Sequence, residues 1–256
     1  MATKKKTGSK KKSKSAIIPA AYFKLTGANA KLKIDAKKQK LYYFAEKVSP
    51  DKAAKMAAET AAEIMEASVD AVKASKPSLK YDFYCIYDAE VQVKYLSVNN
   101  QEIGVYDQLL GAMVGGEVLA PKKGKNVPGK AIFVDIAELY ETKNKASHIL
   151  DGTTGFPARS LETMLKGAGK KAATAAWIKK AVITPGKFNS IEKVLKAITK
   201  DASKVPAEAK RVVEHTLDFS QLQGFYVPTF YVKVTHGADS KMMRINAVNR
   251  NVALKV

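Results

Sequence analysis

A run of alternating residues from Tyr81 to Tyr95 is the feature that most constrains how this chain can fold. One set of alternate positions is apolar or aromatic: Tyr81, Phe83, Cys85, Tyr87, Ala89, Val91, Val93 and Tyr95. The opposite set includes Asp82, Asp88, Glu90, Gln92 and Lys94. Because successive side chains of a strand point to opposite faces, the run predicts one long strand, or two strands joined by a bend, with its aromatic face in the core. Cys85 is then a small buried apolar residue.

Other segments predict both strands and helices. Leu41 to Ala45 has the length and composition of a strand. Ser49 and Pro50 are typical of a helix start and open an alanine-rich helix to about Ser75. The core stripe predicted for that helix consists of Ala54, Ala58, Ala61, Met65 and Val72.

The second half of the chain follows the same mixed pattern. Residues 177–185 predict a strand, and a helix from Ser190 is predicted to bury Ile191, Val194, Leu195 and Ile198. Residues 203–216 predict another short helix. Residues 225–234 predict a strand in which Pro228 indicates an edge position or a bulge.

These elements together predict an α+β fold, an antiparallel sheet with helices on one face. A ferredoxin-like or RRM-like arrangement with a large insertion is the specific form considered. We expect a basic arm at residues 1–15 and a single body at 16–256, with 46–144 as an insertion or subdomain. An OB-fold is the alternative that the strand-rich region from Tyr81 to Tyr140 leaves open.

The chain is strongly basic, with 44 Lys and Arg against 24 Asp and Glu and a formal net charge of +20. Seven of the cations are in the predicted arm: Lys4, Lys5, Lys6, Lys10, Lys11, Lys12 and Lys14. Without them the charge is still +13, so the body is basic in its own right. A polyanion is therefore the expected partner, with nucleic acid first and an acidic membrane or protein second.

The segment from Ser147 to Lys171 predicts a strand, a Gly/Thr turn and a helix opened by Pro157, with Leu161, Leu165 and Ala168 on its inner face. A turn at a helix N-terminus exposes N–H groups to the positive end of the helix dipole. This predicts a binding site for a phosphate or another anion, and Arg159 can also contact that anion. A plain structural turn is the alternative.

Residues 120–130 form a Gly/Pro loop with four lysines and no acid, between two predicted strands. Lysines on such a loop reach phosphates without strict geometry, so the loop is predicted to be a finger that contacts a nucleic-acid backbone. A solvated hairpin tip is the alternative.

The sequence carries no recognisable catalytic grouping. Cys85 is the only cysteine, and the three histidines lack metal-ligand spacing. No G-x-S-x-G, Walker A or dinucleotide-binding pattern occurs. We predict no enzyme activity, no metal and no cofactor. No signal-peptide or membrane-span pattern is found, so a soluble, intracellular protein is expected.

The stretch from His148 to Lys171 resembles a family of uncharacterised bacteriophage proteins with a strand, a Gly turn, a Pro-Ala pair and a helix. It is also similar to the helix entry of the RAMP superfamily, RNA-binding proteins of CRISPR effectors that have an RRM-like fold. Ala-Arg-Ser stands here where RAMP proteins tend to have Gly-Ser-Ser. The resemblance implies that Gly155, Pro157, Ala158 and Arg159 form a helix entry beside a nucleic-acid face, in a phage protein of the infected bacterial cytoplasm.

The function predicted from the sequence is non-catalytic binding of single-stranded DNA or RNA, with weak sequence preference. Outside the arm, the predicted contact residues are Lys122, Lys123, Lys125, Lys130, Arg159, Lys170, Lys171, Trp177, Tyr226, Tyr231, Arg244 and Arg250. The alternative is a structural protein of a virion or large assembly whose arm contacts packaged nucleic acid. Self-association is left open, and no membrane partner is expected.

Overall fold

In the computed structural model, which describes residues 18–255, the chain is an α+β protein with 47% strand and 20% helix. The α-helices of the described part are α1 (Pro50–Ile64), α2 (Glu162–Lys166), α3 (Ala175–Lys180) and α4 (Ile191–Ala202). Its strands are β1 (Lys33–Asp35), β2 (Gln39–Phe44), β3 (Lys73–Ala74), β4 (Ser78–Val105), β5 (Ala112–Val114), β6 (Glu117–Leu119), β7 (Lys122–Lys123), β8 (Lys130–Asp151), β9 (Lys170–Ala172), β10 (Arg211–His236), β11 (Asp239–Asn246) and β12 (Val252–Leu254). Short 3-10 turns lie at Ala20–Phe23, Val69–Ala71 and Arg159–Leu161. The predicted basic arm, residues 1–15, lies wholly outside the described residues.

A ten-stranded sheet organises these elements in the order β12-β11-β10-β4-β8-β7, with β1, β2, β3 and β9 paired off this path. The sheet is mixed rather than antiparallel throughout, because β1 and β2 run parallel to β10. The alternating run from Tyr81 to Tyr95 lies within the 28-residue β4, as the sequence predicts.

The chain divides into two compact units. Unit 1 comprises Met1–Ala30, described from residue 18, with Lys94–Glu141 and Ala207–Val213. Unit 2 comprises Lys31–Val93, Thr142–Pro206 and Glu214–Val256, described to residue 255. Of the predicted insertion at 46–144, residues 94–141 belong to unit 1 and the rest to unit 2.

Unit 2 packs helices on both faces of its part of the sheet, so the prediction of helices on one face is wrong. Helix α1 lies on Phe230 and Val232, and α4 lies on the same side against Phe83 and Cys85. Helix α2 buries Leu165 on the opposite side. Consecutive residues of β4, from Asp82 to Ile86, are therefore all buried.

Helix α1 begins where predicted, with the Ser49 hydroxyl accepting a hydrogen bond from the N–H of Lys52. It ends at Ile64 rather than near Ser75, because the chain turns at Glu66, which has a positive φ of 51°. Its buried residues are Ala53, Ala57, Ala61 and Ala62, which share only Ala61 with the predicted stripe. These small side chains let the helix axis lie close to the sheet.

The predictions for residues 177–185 and 203–216 are wrong, and Pro228 lies in a position that the sequence did not indicate. Residues 177–185 are not a strand, because Thr174 caps α3 there. Residues 203–216 are not a helix, because the chain enters β10 at Arg211. Pro228 is neither on an edge strand nor at a sheet end; it lies between the β10 segments that pair with β2 and with β11, where its missing N–H is tolerated.

Candidate nucleic-acid interface

The Gly/Thr turn proposed as an anion seat has its N–H groups occupied. The Asp151 carboxylate accepts hydrogen bonds from the N–H of Thr153 at 2.8 Å and of Thr154 at 3.2 Å. The N–H of Phe156 donates to the Thr154 hydroxyl, and the N–H of Gly155 donates to the Asp151 carbonyl. The turn is an Asx-type structure closed on itself, so the phosphate-seat prediction is wrong.

The helix after this turn is also shorter than predicted. A 3-10 turn at Arg159–Leu161 leads into the five-residue α2, and Ala168 lies beyond its end. So short a helix has little dipole to offer an anion. Leu165 is buried as predicted, and Arg159 is exposed.

Two glycines hold the turn against the sheet by close backbone approach. The N–H of Gly152 donates to the Phe83 carbonyl at 2.7 Å, and its carbonyl accepts from Phe188. A Cβ at Gly152 would collide with the carbonyl oxygens of Phe83 and Phe188. A Cβ at Gly186 would collide with the backbone of Gly152 and Thr153, so both positions require glycine.

Arg244, predicted to contact nucleic acid, is instead committed to a buried ion-pair cluster. Its guanidinium donates to Asp82 at 2.7 and 3.1 Å and to Tyr84 at 3.1 Å, and it lies 3.4 Å from Asp151. Tyr231 donates to Asp82 at 2.6 Å. The Asp82 side chain is fully buried, so this arrangement leaves Arg244 no freedom to reach a phosphate.

The electrostatics of this cluster agree with a structural role. Burial raises the pKa of Tyr231, and the charge of Asp82 raises it further. Burial also raises the pKa of Tyr84, with Asp151 adding to the rise. Burial alone would lower the pKa of Arg244, but Asp82, Tyr84 and Tyr231 together outweigh burial and the net pKa is raised. The raised pKa values keep the Arg244 guanidinium charged and the Tyr84 and Tyr231 hydroxyls protonated across the physiological range.

The other predicted aromatics also lie in the core. Tyr226 is 2% exposed. The Trp177 ring is half-buried, stacked on Tyr43 with centroids 4.3 Å apart and 5.5 Å from the Tyr226 ring. The Tyr226 ring is buried, Tyr43 covers one face of the Trp177 ring, and Tyr231 is only 6% exposed. Stacking by these three residues is therefore not supported.

The lysines of the 120–130 loop belong to unit 1, where β7 and the start of β8 form a hairpin. The Glu102 carboxylate accepts hydrogen bonds from the N–H groups of Lys125, Asn126 and Val127. The Lys130 ammonium donates to the Asp107 carbonyl at 2.6 Å. The loop is thus an ordered hairpin tip with acidic neighbours, and its contact with a nucleic-acid backbone stays a prediction.

The remaining predicted cations are placed as follows. The Lys170 ammonium donates to three carbonyls at the C-terminal end of α2 and lies 5.5 Å from the Tyr42 ring centroid. Lys171 lies in β9, and Arg250 lies at a positive φ of 67° in the turn before β12; both are exposed. Lys4, Lys5, Lys6, Lys10, Lys11, Lys12 and Lys14 lie outside the described residues.

Unit 2 contains a groove along α4 that the sequence did not indicate, here called the α4 groove. Two adjoining cavities of about 320 and 560 Å³ share the lining residues Tyr87, His148, Ile198 and Asp201. Strands β4 and β8 form its floor, with Val91 and Asn144 among the residues there, and α4 forms one wall. Gly155, Pro157 and Phe188 line the smaller cavity, and Lys204 and Pro206 line the larger one.

The α4 groove is lined by aromatic rings. Tyr87 is half-buried and its ring lies 5.4 Å from the exposed imidazole of His148. Phe188 is half-buried, with the Lys187 ammonium 5.1 Å from its ring centroid. Phe156, between two lining residues of the turn, is 71% exposed. These rings have accessible area that Tyr226 and Tyr231 lack.

Lysines follow the exposed side of α4. Lys193, Lys196 and Lys200 lie at helical spacing on the side opposite the buried Ile191 and Val194, and all three are exposed. Lys193 and Lys200 are one turn from Ala197, which lines the groove. Lys193 donates to Asn189 at 2.7 Å and Lys204 pairs with Asp201 at 2.9 Å.

The excess charge of the described chain is concentrated in unit 2. Unit 2 has 29 Lys and Arg against 17 Asp and Glu, a formal charge of +12. Its segment 142–206 alone has 13 basic and 4 acidic residues. The described residues of unit 1 have 8 and 7. The groove therefore lies within the basic unit, beside its most basic segment.

Sequence reasoning missed this groove because its residues come from three separate segments. The lysine spacing at 193, 196, 200 and 204 was one signal present in the sequence. Phe156 was another, as an aromatic inside a polar turn.

Comparison of the chain with protein-family models, curated proteins and solved structures gave no match. Among residues 18–255 no group of three or more His, Cys, Asp and Glu is placed to hold a metal ion. No helix in the described part of the chain is long and apolar enough to cross a membrane.

Proposed function

We propose that this protein binds single-stranded nucleic acid, without catalysis and with weak sequence preference, along the α4 groove of unit 2. The observation that carries the proposal is a groove lined by aromatic rings, with one wall formed by a helix whose exposed side carries three lysines, in a unit of charge +12. Proteins that bind single strands combine a positive groove for the backbone with aromatic faces for the bases.

Each part of the groove has a role in this proposal. Lys193, Lys196 and Lys200 neutralise phosphates along the strand. Tyr87, His148 and Phe156 supply ring faces on which unpaired bases stack. The contacts involve ring faces and ammonium groups rather than fixed hydrogen-bond forks, so little preference for sequence is expected.

Two of the sequence predictions enter the proposal unchanged. Arg159 and Lys171 are exposed cations of unit 2 and are kept as backbone contacts. The arm lysines from Lys4 to Lys14 are proposed to add charge-driven affinity. We also propose that the protein is phage-encoded, that it acts in the cytoplasm of the infected bacterium, and that it is distantly related to RRM-like proteins.

The test is the salt dependence of binding, measured by fluorescence anisotropy with a labelled random-sequence single strand. A triple variant, Lys193→Gln, Lys196→Gln and Lys200→Gln, should weaken binding about tenfold at moderate salt. It should lower the slope of log affinity against log salt by about 2, because each lost phosphate contact removes about 0.7.

The matched control is Lys47→Gln, Lys52→Gln and Lys55→Gln, which removes the same charge from unit 2 at and before α1, away from the groove. The control should change affinity less than threefold. Equal losses in the two triple variants would show that only net charge matters, and affinity indifferent to salt would overturn the proposal.

A second candidate function is a structural protein of a virion or large assembly. It is favoured by one observation, the exposed apolar side chains of unit 1, among them Tyr106 at 87% and Leu110 at 92% exposure. Large apolar groups in water are typical of contact surfaces between proteins.

A further inference from the structure

Unit 1 exposes a cluster of large apolar side chains in residues 106–119, here called the apolar tip. Tyr106 is 87% exposed, Leu110 92%, Met113 73% and Val118 71%. Single exposed apolar residues are common on protein surfaces, but four within fourteen residues of one hairpin region are not.

The apolar tip is built as an ordered hairpin. Met113 pairs directly with Val118 across β5 and β6, so both side chains lie on one face. Gly115 and Gly116 have φ of 60° and 93°, the conformation of a tight two-residue hairpin turn. Among the described residues, β5 and β6 pair only with each other, so the outer edge of each strand is open.

A small hairpin of this kind gains little stability alone. Two-stranded hairpins are marginal in water unless a third strand or another surface covers their apolar face. The exposed pair of Met113 and Val118 is such an uncovered face. The tip therefore presents both apolar area and strand edges to a partner.

The same unit has an apolar cavity beside the tip. Its volume is about 900 Å³. Its lining residues are Gly104, Val105, Tyr106, Gln108, Leu109, Val127 and Pro128, with no charged side chain among them. A cavity of this size and chemistry accepts side chains such as Leu110 or Met113 from another molecule.

The charge of the described part of unit 1 suits contact between identical chains. Its 8 cations and 7 anions nearly cancel, whereas unit 2 carries +12. Two copies of a protein with a net charge of +20 repel each other least where a near-neutral surface meets its like.

We infer that the apolar tip is a self-association surface whose occupant is a second copy of this chain. Leu110 and Met113 of one copy enter the apolar cavity in unit 1 of the other copy. The lining of that cavity has no charged side chain, so it suits these apolar side chains. The contact is reciprocal in a dimer or runs head to tail in a longer assembly, depending on the symmetry of the pair. It requires no nucleic acid.

The test is sedimentation velocity of the nuclease-treated full chain over a range of micromolar concentrations. The buffer contains about 1 M NaCl, where the Debye length is about 3 Å and repulsion between the basic surfaces is screened. The wild-type chain should show concentration-dependent association. Leu110→Asp should weaken it about tenfold or more, since it places a charge in an apolar contact.

The matched control is Val182→Asp, at a 60% exposed apolar residue of unit 2, which should leave association unchanged. Pro128→Arg tests the cavity side of the contact, at a lining residue outside the tip, and should weaken association without changing the tip. Circular dichroism checks that each variant is folded. A monomer at every concentration, or equal association of the wild type and Leu110→Asp, would overturn the inference.

Discussion

Unit 1 and unit 2 use their surfaces in opposite ways. Unit 2 carries the excess positive charge and covers both faces of its sheet with helices, so its large aromatic residues are mostly internal. Unit 1, as far as it is described, is nearly neutral and leaves Tyr106 and Leu110 in water. The net charge of +20 therefore covers two different surfaces, one strongly basic and one nearly neutral with exposed apolar side chains.

The largest expected difference between the units is in how much their ion pairs contribute to the free energy of unfolding. Arg244→Met removes the partner of the fully buried Asp82 and should lower the free energy of unfolding by about 3–5 kcal/mol. In unit 1, Glu141→Gln breaks the partly exposed pair with Lys94 and should cost below about 1 kcal/mol. Urea unfolding followed by far-UV circular dichroism measures both.

A companion variant sharpens this comparison. Asp82→Asn combined with Arg244→Met removes both charges and should recover part of the stability lost in Arg244→Met alone. If the single and double variants were equally unstable, the unpaired carboxylate would not be the cause of the loss.

The next effect concerns nucleic-acid affinity. Lys122→Gln, Lys123→Gln and Lys125→Gln remove three exposed cations from unit 1. They should weaken single-strand binding less than threefold, against about tenfold for the three α4 lysines of unit 2. Anisotropy titrations in one buffer compare them. A larger loss from the hairpin variant would move the binding surface to unit 1 and break the proposed division.

The smallest effect is local and depends on pH. Burial alone would raise the pKa of Glu102, but the N–H groups of Asn126, Lys125 and Val127 outweigh it and hold the pKa below its usual range. Because the folded pKa is depressed, this stabilisation of the hairpin is present above the ordinary glutamate pKa and is lost as pH falls through the folded value.

Amide exchange of Lys125, Asn126 and Val127, followed by NMR, measures this loss. Exchange, corrected for its intrinsic dependence on pH, should become faster in acid, and Glu102→Gln should abolish most of the change. Amides of β10 near Phe230, in the core of unit 2, serve as the reference and should keep their protection. Unchanged protection at the hairpin would mean that Glu102 does not hold it.

Local patterns in the sequence predicted the elements whose cause is local. Ser49 and Ser190 cap α1 and α4 as expected, since a hydroxyl before a helix acts within one turn. The alternation of Tyr81 to Tyr95 predicted β4 because one strand sets that period. The strand predicted for residues 177–185 is wrong because their apolar side chains are also compatible with a helix. The Thr174 side chain caps α3 there and so favours the helix.

The site could not be predicted in the same way. Burial of Tyr226 and Tyr231 depends on helices and strands distant in sequence, so the pattern of residues 225–234 alone left open whether their rings stack on bases or lie in the core. The α4 groove joins Tyr87, His148 and Ile198, which no local pattern connects. Charge was predictable in amount, but its uneven division between the units depends on where the chain divides.

The lack of space for a Cβ atom at Gly152 and Gly186 can help to identify relatives of this chain. Carbonyl oxygens fill the space that a side chain would need at both positions, so any chain with this arrangement must keep glycine at the two sites whatever else it changes. The two are 34 positions apart, with the first directly after an aspartate at a strand end. Distant members of the same lineage are therefore best sought by this spaced pair rather than by overall identity.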